Sequence, residues 1–147
     1  MKPRYALGTA ALMIGSAVNY FGDRILGVRL ELWSGLGNFF SGLTLVDIFL
    51  VPFVSGLAVA WVFGQGGKWL CYFPPLIVRA IAYTQMTVLE DYPPGTRPQS
   101  FIFWCFFVIL VMEAAAFGGI LGEVFIKRIY TRTDAQKRAD QVAGPKQ

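Results

Sequence analysis

Histidine is absent from all 147 residues. That one absence excludes axial histidine ligation of haem, histidine-type zinc sites and histidine general bases. Charge is also scarce, at 15% of residues, where a soluble domain carries roughly 25%. There are two cysteines, Cys71 and Cys105. The topology drawn below puts them near opposite faces of a membrane, so no intrachain disulfide is expected. Catalytic signatures are missing as well: the chain has no P-loop, no GxSxG, no HExxH, no CxxC and no cluster of metal ligands. The glycine run GQGGK, Gly64 to Lys68, has neither a strand before it nor a Ser or Thr after it, and reads as a tight turn rather than a phosphate cradle. Neither a cofactor nor an enzymatic activity is expected.

Apolar surface is what the chain has in excess. Hydrophobic residues make up 55% and aromatics 16%, and the mean hydropathy is +0.52. A chain this short has too much surface to bury that fraction in water, so lipid is the expected solvent. The apolar residues fall into segments at about 5–21, 42–64, 69–89 and 100–126. About 20 apolar residues cover a hydrocarbon core of roughly 30 Å, and the second and fourth segments meet this easily. The start, MKPRYALGTAALMIGSAV, has the basic lead and short apolar run of a secretory signal, but it is read as a first span. The expected fold is all-α: a polytopic four-transmembrane-helix bundle with N- and C-termini cytoplasmic and a kinked third helix.

Basic residues set the orientation. With both ends inside, Lys2, Arg4, Lys68, Lys127, Arg128, Arg132, Lys137, Arg138 and Lys146 are cytoplasmic, while Arg24, Arg29 and Arg97 are outside. Tyr5, Trp61, Trp69 and Tyr130 then fall near the inner boundary, and Tyr20, Trp33, Tyr92 and Trp104 near the outer one. The loop 22–41 is too apolar for a free linker and reads as an interfacial segment on the outer leaflet or a loop packed over the helix ends. The second outer loop, EDYPPGTRPQ, is a short rigid turn, and 131–147 form a basic cytoplasmic tail.

Three ionisable residues fall within the spans: Asp47, Arg79 and Glu113. At about 1.5 Å per residue, Glu113 lies about 19 Å in from the outer side and Arg79 about 15 Å up from the inner side. Both depths are near the midplane. An unpaired Arg or Asp at a helix centre costs roughly 2.5–3.5 kcal/mol, so Arg79 and Glu113 are expected to pair, as a static bridge or as a coupling site. Asp47 lies near the outer edge of its span, within reach of headgroups or a helix cap.

Pro52 is expected to kink the second helix, and Pro74–Pro75 to leave the third segment either bent and central to a bundle or re-entrant from the cytoplasmic side, because proline removes a backbone donor. Small residues recur every four positions: Gly56, Ala60 and Gly64 on the second span, Ala114, Gly118 and Gly122 on the fourth, and Ala11, Gly15 and Asn19 on the first. Such ladders let helices pack closely, and three of them favour an oligomer or a larger assembly. Glu123 and Lys127 are spaced to pair at i, i+4. Lys127, Arg128 and Arg132 suit anionic headgroups, and the basic tail lacks the interleaved aromatics of a nucleic-acid binder.

In outline, four spans with one buried glutamate resemble small multidrug transporters. Their functional acid lies in the first helix, whereas here it is in the last, so no residue role carries over. The expected function is a non-catalytic integral subunit of a larger complex in a bacterial inner membrane, with other membrane subunits and anionic lipids as partners. The alternative is a small oligomeric transporter or channel component using Glu113 and Arg79.

Overall fold

The computed structural model of the chain is mostly helical and describes residues 4–33, 41–64, 66–89 and 93–143, with side chains to 128. In chain order, α1 spans Arg4–Leu26, β1 Leu32–Trp33, α2 Gly42–Phe63, α3 Gly67–Leu70, α4 Phe73–Leu89, β2 Arg97–Pro98 and α5 Phe101–Ala143. Two helices are long and apolar enough to cross a membrane: α2 and the Phe101–Arg128 part of α5. The other two long helices, α1 with 23 residues and α4 with 17, are not among them.

Helix α2 is not a uniform rod. Ser41 caps it, its hydroxyl accepting from the Thr44 N–H, and a π-helical turn follows at Val46–Leu50 before the α-helix resumes at Val51. Pro52 has no N–H to give the preceding turn, and a widened turn absorbs the missing bond. Asp47 lies inside that turn.

The third apolar segment breaks where the sequence did not point. Pro74 and Pro75 occupy the first turn of α4, where helical N–H groups lack intrahelical partners anyway, so they begin this helix rather than kink it. The break is the turn at Cys71–Tyr72, between α3 and α4. Buried Cys71 bridges it, its thiol donating to the Gly67 carbonyl at 3.1 Å. Cys71 and Cys105 are both free.

Helices α2 and α5 pack backbone against backbone. A Cβ on Gly56 would meet the Ala115 carbonyl oxygen at 1.9 Å, and one on Gly118 would meet the Phe53 carbonyl oxygen at 2.0 Å. Gly122 closes on Ala60, and Ala114 is buried. Gly64 plays no part in this contact. It ends α2 with φ +80°, a conformation glycine adopts without strain, and nothing would touch its Cβ. On α1, Gly15 packs on Val59 and Pro74, while Asn19 donates to the Ser55 hydroxyl at 2.7 Å and to the Gly15 carbonyl. Ala11 is fully buried. The small-residue ladders are therefore used within one chain, and they do not by themselves call for an oligomer.

At the C-terminal end of α1 the helix runs through Asp23, and the chain then turns back over the helix ends. Leu30, Glu31 and Leu32 are buried there. Leu32–Trp33 pairs antiparallel with Arg97–Pro98, and the Gln99 N–H donates to the Glu31 carbonyl at 2.8 Å. The described part of the first outer loop is thus packed onto the bundle, tied to the second outer loop by this ribbon, and does not lie flat beside it. Trp104 is buried against Tyr83 and Phe101.

Candidate functional site: a buried guanidinium ringed by carboxylates

Arg79 lies in the middle of α4, 3% exposed. Three carboxylates from three other parts of the chain meet its guanidinium. Nη2 donates to Asp23 Oδ1 at 2.9 Å and to Asp47 Oδ2, and Nη1 donates to Glu31 Oε1 at 3.2 Å. Each acid is delivered by a distinct local device. Asp23 rides the last turns of α1, Glu31 enters with the folded-back loop beside β1, and Asp47 projects from the π-helical turn of α2. Asp47 and Glu31 are essentially inaccessible, at 0% and 2% exposure.

The arrangement is a staple for the end of the molecule where α1 closes and α2 begins. A planar guanidinium offers five donors in a fixed fork, so one arginine can hold α1, the outer loop, α2 and α4 together. Formal charge does not cancel, with one positive group against three negative. Asp47 Oδ1 is buried with no partner, and Asp23 and Glu31 each engage Arg79 through a single oxygen. Surplus negative charge in a poorly solvated place is relieved by protons or by an external cation.

The cluster opens on one side into a cleft of about 620 Å³ between the end of α1, the outer loop and α4. Asp23, Glu31 and Arg79 contribute to its lining, with Arg24 and Arg29 toward solvent and Val78, Ile81 and Met86 along the α4 wall. Arg24 lies 5.2 Å over the Tyr20 ring. Among the described residues, no group of three or more His, Cys, Asp or Glu is arranged to hold a metal ion.

The structure therefore brings Arg79 together with Asp47, which neither reaches the headgroups nor caps a helix, and it does not bring Glu113 to Arg79. Glu113 is exposed on α5, facing away from the bundle. Helical phase decides this. Ala114, Ala115 and Gly118 hold the α2-facing side of α5, and Glu113 falls outside that arc. On the outer side it sits in a stripe with Ile102, Phe106, Ile109, Phe117 and Ile120, all exposed. Lys127 and Arg128 are exposed on α5, and Arg132 lies beyond the residues whose side chains are described.

Sequence reading missed two acids. Asp23 and Glu31 are expected in an outer loop, and only the fold-back of that stretch turns both onto Arg79. Glu123 was also missed as a staple. Its Oε1 accepts from the backbone N–H of Gly66 at 2.9 Å and of Lys68 at 3.0 Å, so a carboxylate of α5 holds the turn after α2. Searches against family models, curated proteins and solved structures find no match for this chain.

Proposed function

We propose that the chain is a non-catalytic integral subunit of a larger protein assembly in a bacterial inner membrane, crossing four times with both ends in the cytoplasm. The observation that carries this reading is Glu113 on the outer face of α5. A carboxylate midway along an apolar span, turned toward lipid, is expensive unless something meets it. Among the described residues none meets it. Arg79 is occupied by three acids, and the remaining described cations lie toward the helix ends. The stripe around Glu113 recurs at steps of three or four residues, the spacing that keeps side chains on one face of a helix. A partner helix that covers the stripe and presents a basic or hydrogen-bonding side chain at the level of Glu113 satisfies both features.

The extent of bare apolar surface supports a membrane setting. Met13 and Phe21 on α1, Phe49 and Val54 on α2, and Phe103 and Phe125 on α5 are all exposed, far more than a soluble monomer leaves in water. Tyr5, Trp61 and Trp69 are exposed toward one end and Tyr20 and Trp33 toward the other, as interfacial belts require. Lys127 and Arg128 suit anionic headgroups at the same end as Tyr5.

The test is native-state mass measurement after extraction in mild detergent, for the wild type and Glu113→Gln. The subunit reading predicts a defined hetero-complex that the substitution dissolves, with the chain itself still folded. A lone monomer in both cases contradicts it. The cleft opening on Arg79, Asp23 and Glu31 favours a second reading, a small transporter component. In that case Asp23→Asn abolishes ion-coupled flux in proteoliposomes while Glu113→Gln leaves it intact.

A further inference from the structure

The cleft beside Arg79 has an ordered pattern of charge that the assembly reading does not use. Its floor is negative, because Asp23, Glu31 and Asp47 outnumber Arg79. Its rim is positive: Arg24 and Arg29 both line it, both are exposed, and neither has a carboxylate partner among the described residues. A simple anion drawn to the rim meets surplus negative charge below, and a simple cation drawn to the floor must pass two guanidiniums. A dipolar group with its cation inward and its anion outward is favoured at both ends.

We infer that this cleft binds a phosphoethanolamine group, its primary ammonium on the free oxygens of Asp23 and Glu31 and its phosphate on Arg24 and Arg29. An ammonium brings three N–H donors, which suits two carboxylates that each spend one oxygen on Arg79. Guanidinium forks match phosphate geometry, and the stacking of Arg24 on Tyr20 holds one of them in place. The volume of about 620 Å³ is ample for the head, and the wall at Ile81 and Met86 offers apolar surface to a glyceryl or acyl portion. The same chemistry has two sources: the head of a phosphatidylethanolamine lipid and free phosphoethanolamine. This inference stands on the cleft alone, and it holds whether or not Glu113 meets a partner chain.

The experiment uses the purified full chain in detergent and in nanodiscs. Retention of phosphatidylethanolamine, phosphatidylcholine and phosphatidylglycerol is compared by native mass spectrometry. Binding of free phosphoethanolamine, phosphocholine and inorganic phosphate is compared by calorimetry. The inference predicts a preference of about tenfold or more for the ethanolamine form over the choline form, because the methylated nitrogen has no N–H to donate. It predicts a similar loss in the double variant Arg24→Gln/Arg29→Gln, whose exposed positions leave the fold intact. Preference seen only with lipid identifies a bilayer headgroup as the source, and preference also with the free compound identifies a soluble ligand. Equal binding of choline and ethanolamine forms, or binding of phosphatidylglycerol or inorganic phosphate as tight as either, overturns it. So does a double variant that binds like the wild type.

Discussion

The two halves of this molecule treat charge in opposite ways. In one half, Arg79 and three acids from three other elements are folded into one another, so that the charged side chains of α2 and α4 face inward. On α5, by contrast, Glu113 lies exposed among phenylalanines and isoleucines, with no partner among the described residues. Burial of the first kind makes a tertiary structure. Exposure of the second kind, in an apolar stripe, is what the proposed contact with a partner helix rests on. The difference teaches that an ionisable residue in a span has two quite separate readings, and that helical phase, not depth, chooses between them.

Removing Arg79 sharpens the contrast most. Arg79→Met leaves three carboxylates facing one another, and breaking a buried ion pair from one side costs about 3–5 kcal/mol. The folded fraction in mild detergent, followed by size-exclusion fluorescence and thermal unfolding, is expected to collapse. Glu113→Gln in the same assay is expected to move stability by no more than about 0.5 kcal/mol. A large loss for Glu113→Gln in the isolated chain erases the distinction.

The α2–α5 contact comes next in size. Gly56→Ala places a methyl against the Ala115 carbonyl, and Gly118→Ala places one against that of Phe53. Overpacking of this kind costs about 1–3 kcal/mol, since neither neighbour is a flexible side chain that can move aside. Gly64→Ala meets no atoms, and its cost arises from the positive φ alone, about 1 kcal/mol. Thermal midpoints of the three variants are expected to rank accordingly, and equal midpoints place the helix contact elsewhere.

Smaller still is the turn that Glu123 holds. Glu123→Gln keeps one acceptor but loses the charge that strengthens its two backbone bonds, at a partly exposed site, for about 1 kcal/mol. Amide exchange is expected to quicken at Gly66 and Lys68 while the Arg79 cluster stays protected. Faster exchange at both places makes the two regions one cooperative unit.

Much of the helical skeleton was legible in the sequence. The runs now seen as α2 and the first part of α5 are long and nearly unbroken by charge, and their small-residue steps marked the faces that meet. What was not legible has physical causes. Pairing was inferred for Arg79 and Glu113 from equal depth, but depth along a helix says nothing of azimuth, and the alanines and glycines beside Glu113 show which side of α5 faces inward. A proline pair signals a kink only inside a helix, and Pro74–Pro75 proved to start one. Asp47 was assigned to the membrane edge because a regular helix was assumed; the π-helical turn before Pro52 re-aims that residue into the core. Asp23 and Glu31 came from a stretch with loop-like composition, and only the fold-back of that loop turns them inward.

A double-mutant cycle on the purified chain tests the central claim most directly. Stabilities are measured for Arg79→Met, Glu113→Gln and the pair, alongside Arg79→Met, Asp47→Asn and their pair. The account predicts that Arg79 and Glu113 add within about 0.5 kcal/mol, while Arg79 and Asp47 show coupling of about 1 kcal/mol or more. Strong coupling between Arg79 and Glu113, with none between Arg79 and Asp47, would contradict it.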